Sequence, residues 1–290
     1  MKLSQIYAGV LKYGIQRDPR KNKSAIKYYS DTSLLYGSGD KEIKKILVGI
    51  DIDVAELLLA DKIRSREGLD LVISHHPQGR AYAGLYEVMQ LQADLMRQAG
   101  ILKNVALELI EERKREVERK ILPANHMRAV DAARLLDLPF MCIHTPADNH
   151  VSYFIMKLLA KHKPKKVKNI LDILDKIPEY REAKKGLAGP RLILGNPQRP
   201  TGRIFMEMTG GTEGHKDVYD KLYKCGIRTL VSMHLSEEHF KKVKDANLNV
   251  IIAGHISSDT LGLNLLLDRI EKKERFSVIS CSGFKRIRRS

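Results

Sequence analysis

Tryptophan is absent and aromatic residues make up only 6% of the chain, so its core must be built mainly from aliphatic side chains. Only three cysteines occur, Cys142, Cys225 and Cys281. They form no CxxC pair and no even-numbered framework, which argues against a disulfide scaffold and a cysteine-ligated zinc knuckle and fits a reducing, cytoplasmic location. No apolar run reaches the roughly 18 residues that a membrane-spanning helix needs, so no membrane span is expected. The opening MKLSQIYAGVLKYG lacks the apolar stretch and small-residue cleavage site of a secretory signal.

What is present is enough for a full core. Apolar residues are 43% of 290, which argues against disorder and allows one large domain or two ordinary ones. The net charge is +16. RKREVERK (113–120) alternates sign as an exposed helix does. KPKKVK (163–168) and KRIRR (285–289) are one-sided and suit an anionic substrate or polymer. No zinc-finger spacing or aromatic-basic RNA motif accompanies them, so nucleic acid is a secondary partner.

Strand-like and helix-like runs alternate. KKILVGID (44–51) reads as a strand. A helix over 53–68 follows, with Asp53 and Glu56 at capping-box spacing and Gly68 past its end. LDLVIS (69–74) is the next strand. Helices are predicted over 85–100, from about 106 to 121, and from Asn125 as N-cap to 139. LPFMCIH (138–144) is a strand and 148–164 a helix. Beyond a Lys-, Pro- and Gly-rich stretch come strands at 203–211, 227–234, 249–255 and 275–284, with helices at 217–226, 235–248 and 257–274 between them. This order predicts an α/β protein of two similar halves with parallel crossovers and helix-covered sheets. We place the halves at 1–160 and 201–290, joined by a connecting segment at 161–200.

Three strand ends carry histidine, at the carboxyl ends where α/β sheets gather functional groups. ISHHP holds His75 and His76, CIHTPAD holds His144 and Asp148, and AGHISSD holds His255 and Asp259. Taken singly, each reads most simply as loop histidine or a first-turn acid. Together, four imidazoles and two carboxylates supply about three protein ligands to each of two divalent ions, zinc, iron, manganese or nickel. Adjacent side chains on extended backbone point to opposite sides, so His75 and His76 suit two different ions. His215, His234 and His239 are further histidines with acid/base or ligand capacity. The loop TGGTEGHKD (209–217) has the glycines of an anion-holding turn or of a plain strand–helix connection, but lacks the P-loop pattern.

At these residues the sequence resembles the Nif-three-like family, also described as GTP cyclohydrolase I type 2 homologues. Members carry SHHP, HTxxD and a late GHxxxE. Here these stand as Ser74–Pro77, His144–Asp148 and Gly254–Asp259. DTSLLYG (31–37) resembles the family's opening motif. The resemblance covers roughly residues 31–284. It implies a dinuclear metal centre at the six residues above, two α/β halves and often a hexameric homo-oligomer. Asp259 stands where the family has glutamate, and Met233-His234 where it has Gly-Glu. Two ions at such a centre would activate a water and stabilise a displaced oxygen, so the leading expectation is a metal-dependent hydrolase acting on a small anionic, nucleotide-like or phosphate-containing substrate; family membership does not fix the reaction. The alternatives are a non-catalytic metal-binding or regulatory protein and a nucleic-acid-interacting module. No catalytic residue is assigned from the sequence.

Overall fold

Apolar alternation and helix caps produce the elements of the computed structural model, which describes residues 1–289. The first stretch contains α1 (Leu3–Arg17), β1 (Ser33–Tyr36), β2 (Lys45–Gly49), α2 (Val54–Glu67), β3 (Leu71–Ser74), α3 (Gly79–Ala83), α4 (Leu85–Val88), α5 (Gln90–Ala99), α6 (Lys103–Ile121), α7 (Arg128–Leu135) and β4 (Phe140–Cys142). The middle contains α8 (Thr145–His162), α9 (Val167–Leu174), α10 (Pro178–Lys185) and β5 (Arg191–Leu194). The remainder is β6 (Arg203–Glu207), α11 (Val218–Lys224), β7 (Ile227–Ser232), α12 (Glu237–Asp245), β8 (Asn249–Ile252), α13 (His255–Ile270) and β9 (Ser277–Cys281).

The strands form two sheets, ordered β1-β4-β3-β2-β9 and β5-β8-β7-β6. In each, one edge strand runs antiparallel, β1 against β4 and β5 against β8, while the others are parallel. The parallel strands are apolar on both faces, as strands covered on both sides must be. Ile46, Val48, Leu71, Ile73 and Met141 enter a core with α1, α8 and α13. Leu47, Val72 and Phe140 enter another, under α2 and α7. In the second sheet, Phe205, Leu230 and Val250 pack under α5, α6 and α11. Met206, Val231 and Ile251 pack against Val151, Ile155 and Leu159 of α8. Helices α8 and α13 are therefore a central layer between the two sheets, each contributing to the cores on both sides.

Helix ends follow local chemistry. Asp53 caps α2 in the expected box with Glu56, and Gly68 ends it at φ +76°. α8 starts at Thr145 with Pro146 in its first turn, three residues before the expected start. Asp148 thus lies inside the first turn, on the His144 side of the helix. Asn125 does not cap α7, which begins at Arg128; its side chain accepts the Met127 N–H at 3.2 Å as a turn.

Three features differ from the sequence reading. α1 was not expected, although Leu3, Ile6, Val10 and Gly14 are its buried residues and stand at helical spacing. Residues 161–200 are not a plain connection but fold into α9, α10 and β5. The last strand does not lie in the second half: β9 pairs with β2, Lys45 opposite Ser277 and Gly49 opposite Cys281. The one-sided KRIRR segment is largely neutralised in place. Lys285 pairs with Glu182, Arg286 with Asp268 and Glu271, Arg288 with Glu271, and Arg289 with Glu179. Among the described residues, no helix is long and apolar enough to cross a membrane.

Candidate metal centre

The six sequence-selected residues converge where the carboxyl ends of β3, β4 and β8 meet the first turns of α8 and α13. Strand β3 runs in register into this point, with Gly49 opposite Ser74 and Ser74 opposite Cys142. The His75 N–H then donates to the Gly49 carbonyl and the His76 N–H to the Ile50 carbonyl, both at 2.9 Å. The Ser74 hydroxyl donates to the His76 carbonyl at 2.7 Å. Both histidine backbones are thus fixed before their side chains are considered.

Helix periodicity supplies the other half. His144 and Asp148, and His255 and Asp259, are four residues apart, so each pair shares a helix face. His144 Nε2 lies 3.8 Å from Asp148 and His255 Nε2 lies 3.6 Å from Asp259. Gly254, at φ +103°, makes the turn into α13, where a Cβ would stand 2.8 Å from the Ala188 carbonyl oxygen. The two first turns come together because Gly262 lets α13 press onto the Ala147 backbone of α8.

The side chains divide into two groups. The His75 ring is centred 4.9 Å from His144 and the His76 ring 5.1 Å from His255. His75 Nε2 is 3.5 Å from Asp148 Oδ1. Asp259 spans the groups: Oδ1 is 3.4 Å from His75 Nε2, while Oδ2 is 3.5 Å from His76 Nε2 and 3.6 Å from His255 Nε2. Aspartate, though shorter than glutamate, thus offers one oxygen to each side.

Burial makes this arrangement costly as it stands. Both ring nitrogens of His75, Asp148 Oδ1 and both Asp259 oxygens are buried without a hydrogen-bond partner. An unmet buried polar atom costs roughly 1–3 kcal/mol, more if charged. Four of them, His75 Nε2, Asp148 Oδ1 and both Asp259 oxygens, face one another across the cluster, and such unmet buried atoms in a native site call for a partner. Electrostatics agree. Burial pushes the Asp259 carboxyl up, but His75, His76 and His255 outweigh it and hold it well below the usual carboxylate range. Burial lifts Asp148 to about 6 against the pull of His144 and His75. Burial pushes His144 down, yet Asp148 and Asp31 outweigh it and raise it to about 9.

A second layer was not read from the sequence. Asp31, fully buried, accepts from Thr145 Oγ1 at 2.6 Å and is bonded to His144 Nδ1 at 2.8 Å. Asp51 is bonded to His76 Nδ1 at 2.6 Å. Both lie far in sequence from the histidines they orient; the only available signal was that Asp31 opens the motif DTSLLYG. The 209–217 loop is held by Gln92, whose Nε2 donates to the Gly210 and Thr212 carbonyls at 2.7 and 2.6 Å. This loop does not form an anion cradle: it presents Glu213, and its Gly214 N–H donates to the buried carboxylate of Glu207 at 3.2 Å.

Glu213, His234 and Glu207 border a narrow cleft of about 40 Å³ that also reaches His144, Asp148 and Asp259. The other two histidines stay outside it. Both His239 ring nitrogens are bonded, to Ser236 Oγ at 2.8 Å and to the Gly214 carbonyl at 2.9 Å. His215 accepts the Asp217 N–H. A roomier cavity of about 630 Å³, with Arg17, Lys157, Arg269 and Arg275 in its wall, shares no residue with the cluster.

No family model and no curated protein matches the chain. Solved structures do. A NIF3 superfamily protein from Sphaerobacter thermophilus superposes with a TM-score of 0.80 at 27% identity, covering 96% of this chain and 98% of that one. Reduced HcgD from Methanocaldococcus jannaschii gives 0.57 at 15% identity over 97% of both chains. TTHA1606 from Thermus thermophilus gives 0.52 at 14%, also over 97% of both. The last two are likenesses of fold.

Proposed function

The chain is a protein of the NIF3 superfamily, and from that premise we propose that it is a dinuclear metal-binding hydrolase acting on a nucleotide-like or phosphate-containing substrate. One position is held by His75, His144 and Asp148, the other by His76 and His255, with Asp259 shared between them. The observation that carries this reading is the convergence of four buried atoms with no hydrogen-bond partner, His75 Nε2, Asp148 Oδ1 and both Asp259 oxygens. The donor set, imidazole and carboxylate without thiolate, suits zinc, iron, manganese or nickel.

Two divalent ions there would supply an activated water and a charge clamp for a displaced oxygen. The chain's own residues do the rest. Asp31 and Asp51 fix the tautomer and aim of His144 and His76 through their Nδ1 atoms. Burial of Asp148 and Asp259 excludes water that would otherwise screen them. The narrow cleft borders the centre at His144, Asp148 and Asp259 and another, larger cavity reaches His255; a second reading is metal held without turnover.

Metal analysis of the purified protein is expected to give about two ions per chain. A phosphoester and nucleotide panel, wild type against His76→Ala, separates the readings. Turnover lost in the variant supports hydrolysis, no turnover in either supports metal holding, and a protein that takes up no metal after reconstitution defeats both.

Loading must displace the proton that His144 binds up to about pH 9. Affinity is therefore expected to rise at least tenfold per pH unit from about 6 to 9, and more where His76, whose burial is outweighed by Asp259 and Asp51, also holds a proton. The rise is steeper below about 6, where Asp148 also binds a proton. Titration calorimetry in buffers of different ionisation enthalpy reads this proton release; a pH-independent affinity would contradict it.

Asp31→Asn is expected to weaken binding roughly 10- to 100-fold, the usual effect of removing a carboxylate behind a ligating histidine. Chelator competition measures it, and an unchanged affinity would show that His144 is oriented by other contacts.

A further inference from the structure

The two halves repeat one another at their histidine-bearing strand ends. Strand β3 ends in Ser74, whose hydroxyl donates to the carbonyl two residues on, at His76, over 2.7 Å. Strand β7 ends in Ser232, whose hydroxyl donates to the carbonyl two residues on, at His234, over 2.8 Å. The next strand docks in the same way in both halves. The Ile143 N–H donates to the Ser74 carbonyl at 2.9 Å and the Ala253 N–H to the Ser232 carbonyl at 2.8 Å. His234 therefore occupies in the second half the place His76 occupies in the first.

Its surroundings match as well. His76 has Asp51 at Nδ1 and His144 has Asp31 at Nδ1. His234 has Glu213 at Nδ1, at 3.5 Å. A carboxylate on Nδ1 leaves Nε2 as the ring's remaining donor, the arrangement typical of a metal-ligating histidine. The His234 ring is centred 4.6 Å from that of His255, and the two share the cleft with Asp259. His75, His144 and Asp148 form one group of close ligand atoms and His75, His76 and Asp259 another; His255 adds an Nε2 at 3.6 Å from Asp259 Oδ2, beside His234.

We propose that His234 is the fourth protein ligand of the second metal position, held in aim by Glu213. This rests on the metal-binding reading above. Three imidazoles and one carboxylate make the second position richer in nitrogen than the first. It therefore selects zinc, cobalt, nickel or iron(II) over magnesium or manganese.

The test uses the full chain loaded with cobalt(II), with chelator competition for affinity and the visible absorption band for ligand environment. His234→Ala is expected to keep one ion at wild-type affinity, to bind the other at least tenfold more weakly, and to shift the band. Added imidazole should restore it. Glu213→Gln is expected to weaken the same ion roughly 10- to 100-fold. His162→Ala, which removes an exposed histidine at the far end of α8, should leave binding and band unchanged. His234→Gln serves as a second variant should the alanine form fold poorly. A wild type that binds two ions together with His234 variants of unchanged affinity and spectrum overturns this inference alone. A wild type that binds no metal overturns the underlying reading with it.

Discussion

Asp259→Asn is expected to empty both metal positions, whereas Asp148→Asn empties only one. The difference follows from how the carboxylate is shared. Asp259 Oδ1 faces His75 and Oδ2 faces His76 and His255, all within 3.6 Å, while Asp148 meets only His75 and His144. An amide cannot offer an anionic oxygen to two cations, and one of its two faces becomes a donor aimed at a cation. The loss should exceed the roughly 100-fold that removing an outer-shell partner costs. It has a stability readout too. An ion present at 1,000 times its dissociation constant stabilises the fold by about 4 kcal/mol, so wild type should melt well above its chelator-treated form. Asp259→Asn should melt at the same temperature with and without chelator. Two ions per chain in Asp259→Asn would sink the shared-carboxylate account.

Gly262→Ala is expected to be strongly destabilising. A Cβ there would stand 2.4 Å from the Ala147 carbonyl oxygen and 2.9 Å from its carbonyl carbon. Both are backbone atoms, so no side-chain rearrangement on α8 relieves the clash, and the two central helices must separate. Overpacking of this kind costs about 1–3 kcal/mol, occasionally more, and the upper end applies where backbone meets backbone. Melting should fall by roughly 6–10 °C. The damage is also functional, because Gly262 lies three residues beyond Asp259 and Ala147 lies next to Asp148. Separating the helices would pull the two groups of ligands apart. Gly9→Ala is the matched control. Its Cβ would meet Ile270 at an ordinary 3.5 Å, and helix propensity should make it neutral or stabilising by up to about 1 kcal/mol. Equal melting temperatures for Gly262→Ala and wild type would show that the crossing tolerates a methyl group after all.

What could be read beforehand was whatever has a short period in the sequence. Apolar runs marked β2, β3, β4, β7 and β8, and histidines at their ends marked the cluster. The i, i+4 spacing of His144 with Asp148 and of His255 with Asp259 placed each pair on one helix face. What could not be read depends on long-range pairing. Nothing local announces that Asp31 meets His144 or that Asp51 meets His76, since an aspartate in a loop has many ordinary uses. Residues 161–200 read as a connection because Lys, Pro and Gly punctuate them. Yet Val167, Ile170 and Leu174 are wholly buried in α9 and Tyr180 in α10. The alternation of β9 was legible, but its partner was not, because strand order is decided by tertiary packing. Among the three uncommitted histidines, His234 alone stands at a strand end two residues after a serine, as His76 does, and hydrogen bonds engage the other two.

The position of β9 bears on how the polypeptide matures. β2 borders β3 on one side and β9 on the other, so one rim of the first sheet remains open while everything between them is being synthesised. An open, apolar rim of this kind invites pairing with other chains, and contacts so distant along the chain form slowly. The amino-terminal half therefore emerges from the ribosome as an unfinished sheet with four of the six imidazole and carboxylate donors, in need of shielding until β9 has been made. His255 and Asp259 lie in α13, far along the chain from His75 and His76, so a nascent fragment that stops short of α13 lacks part of the cluster.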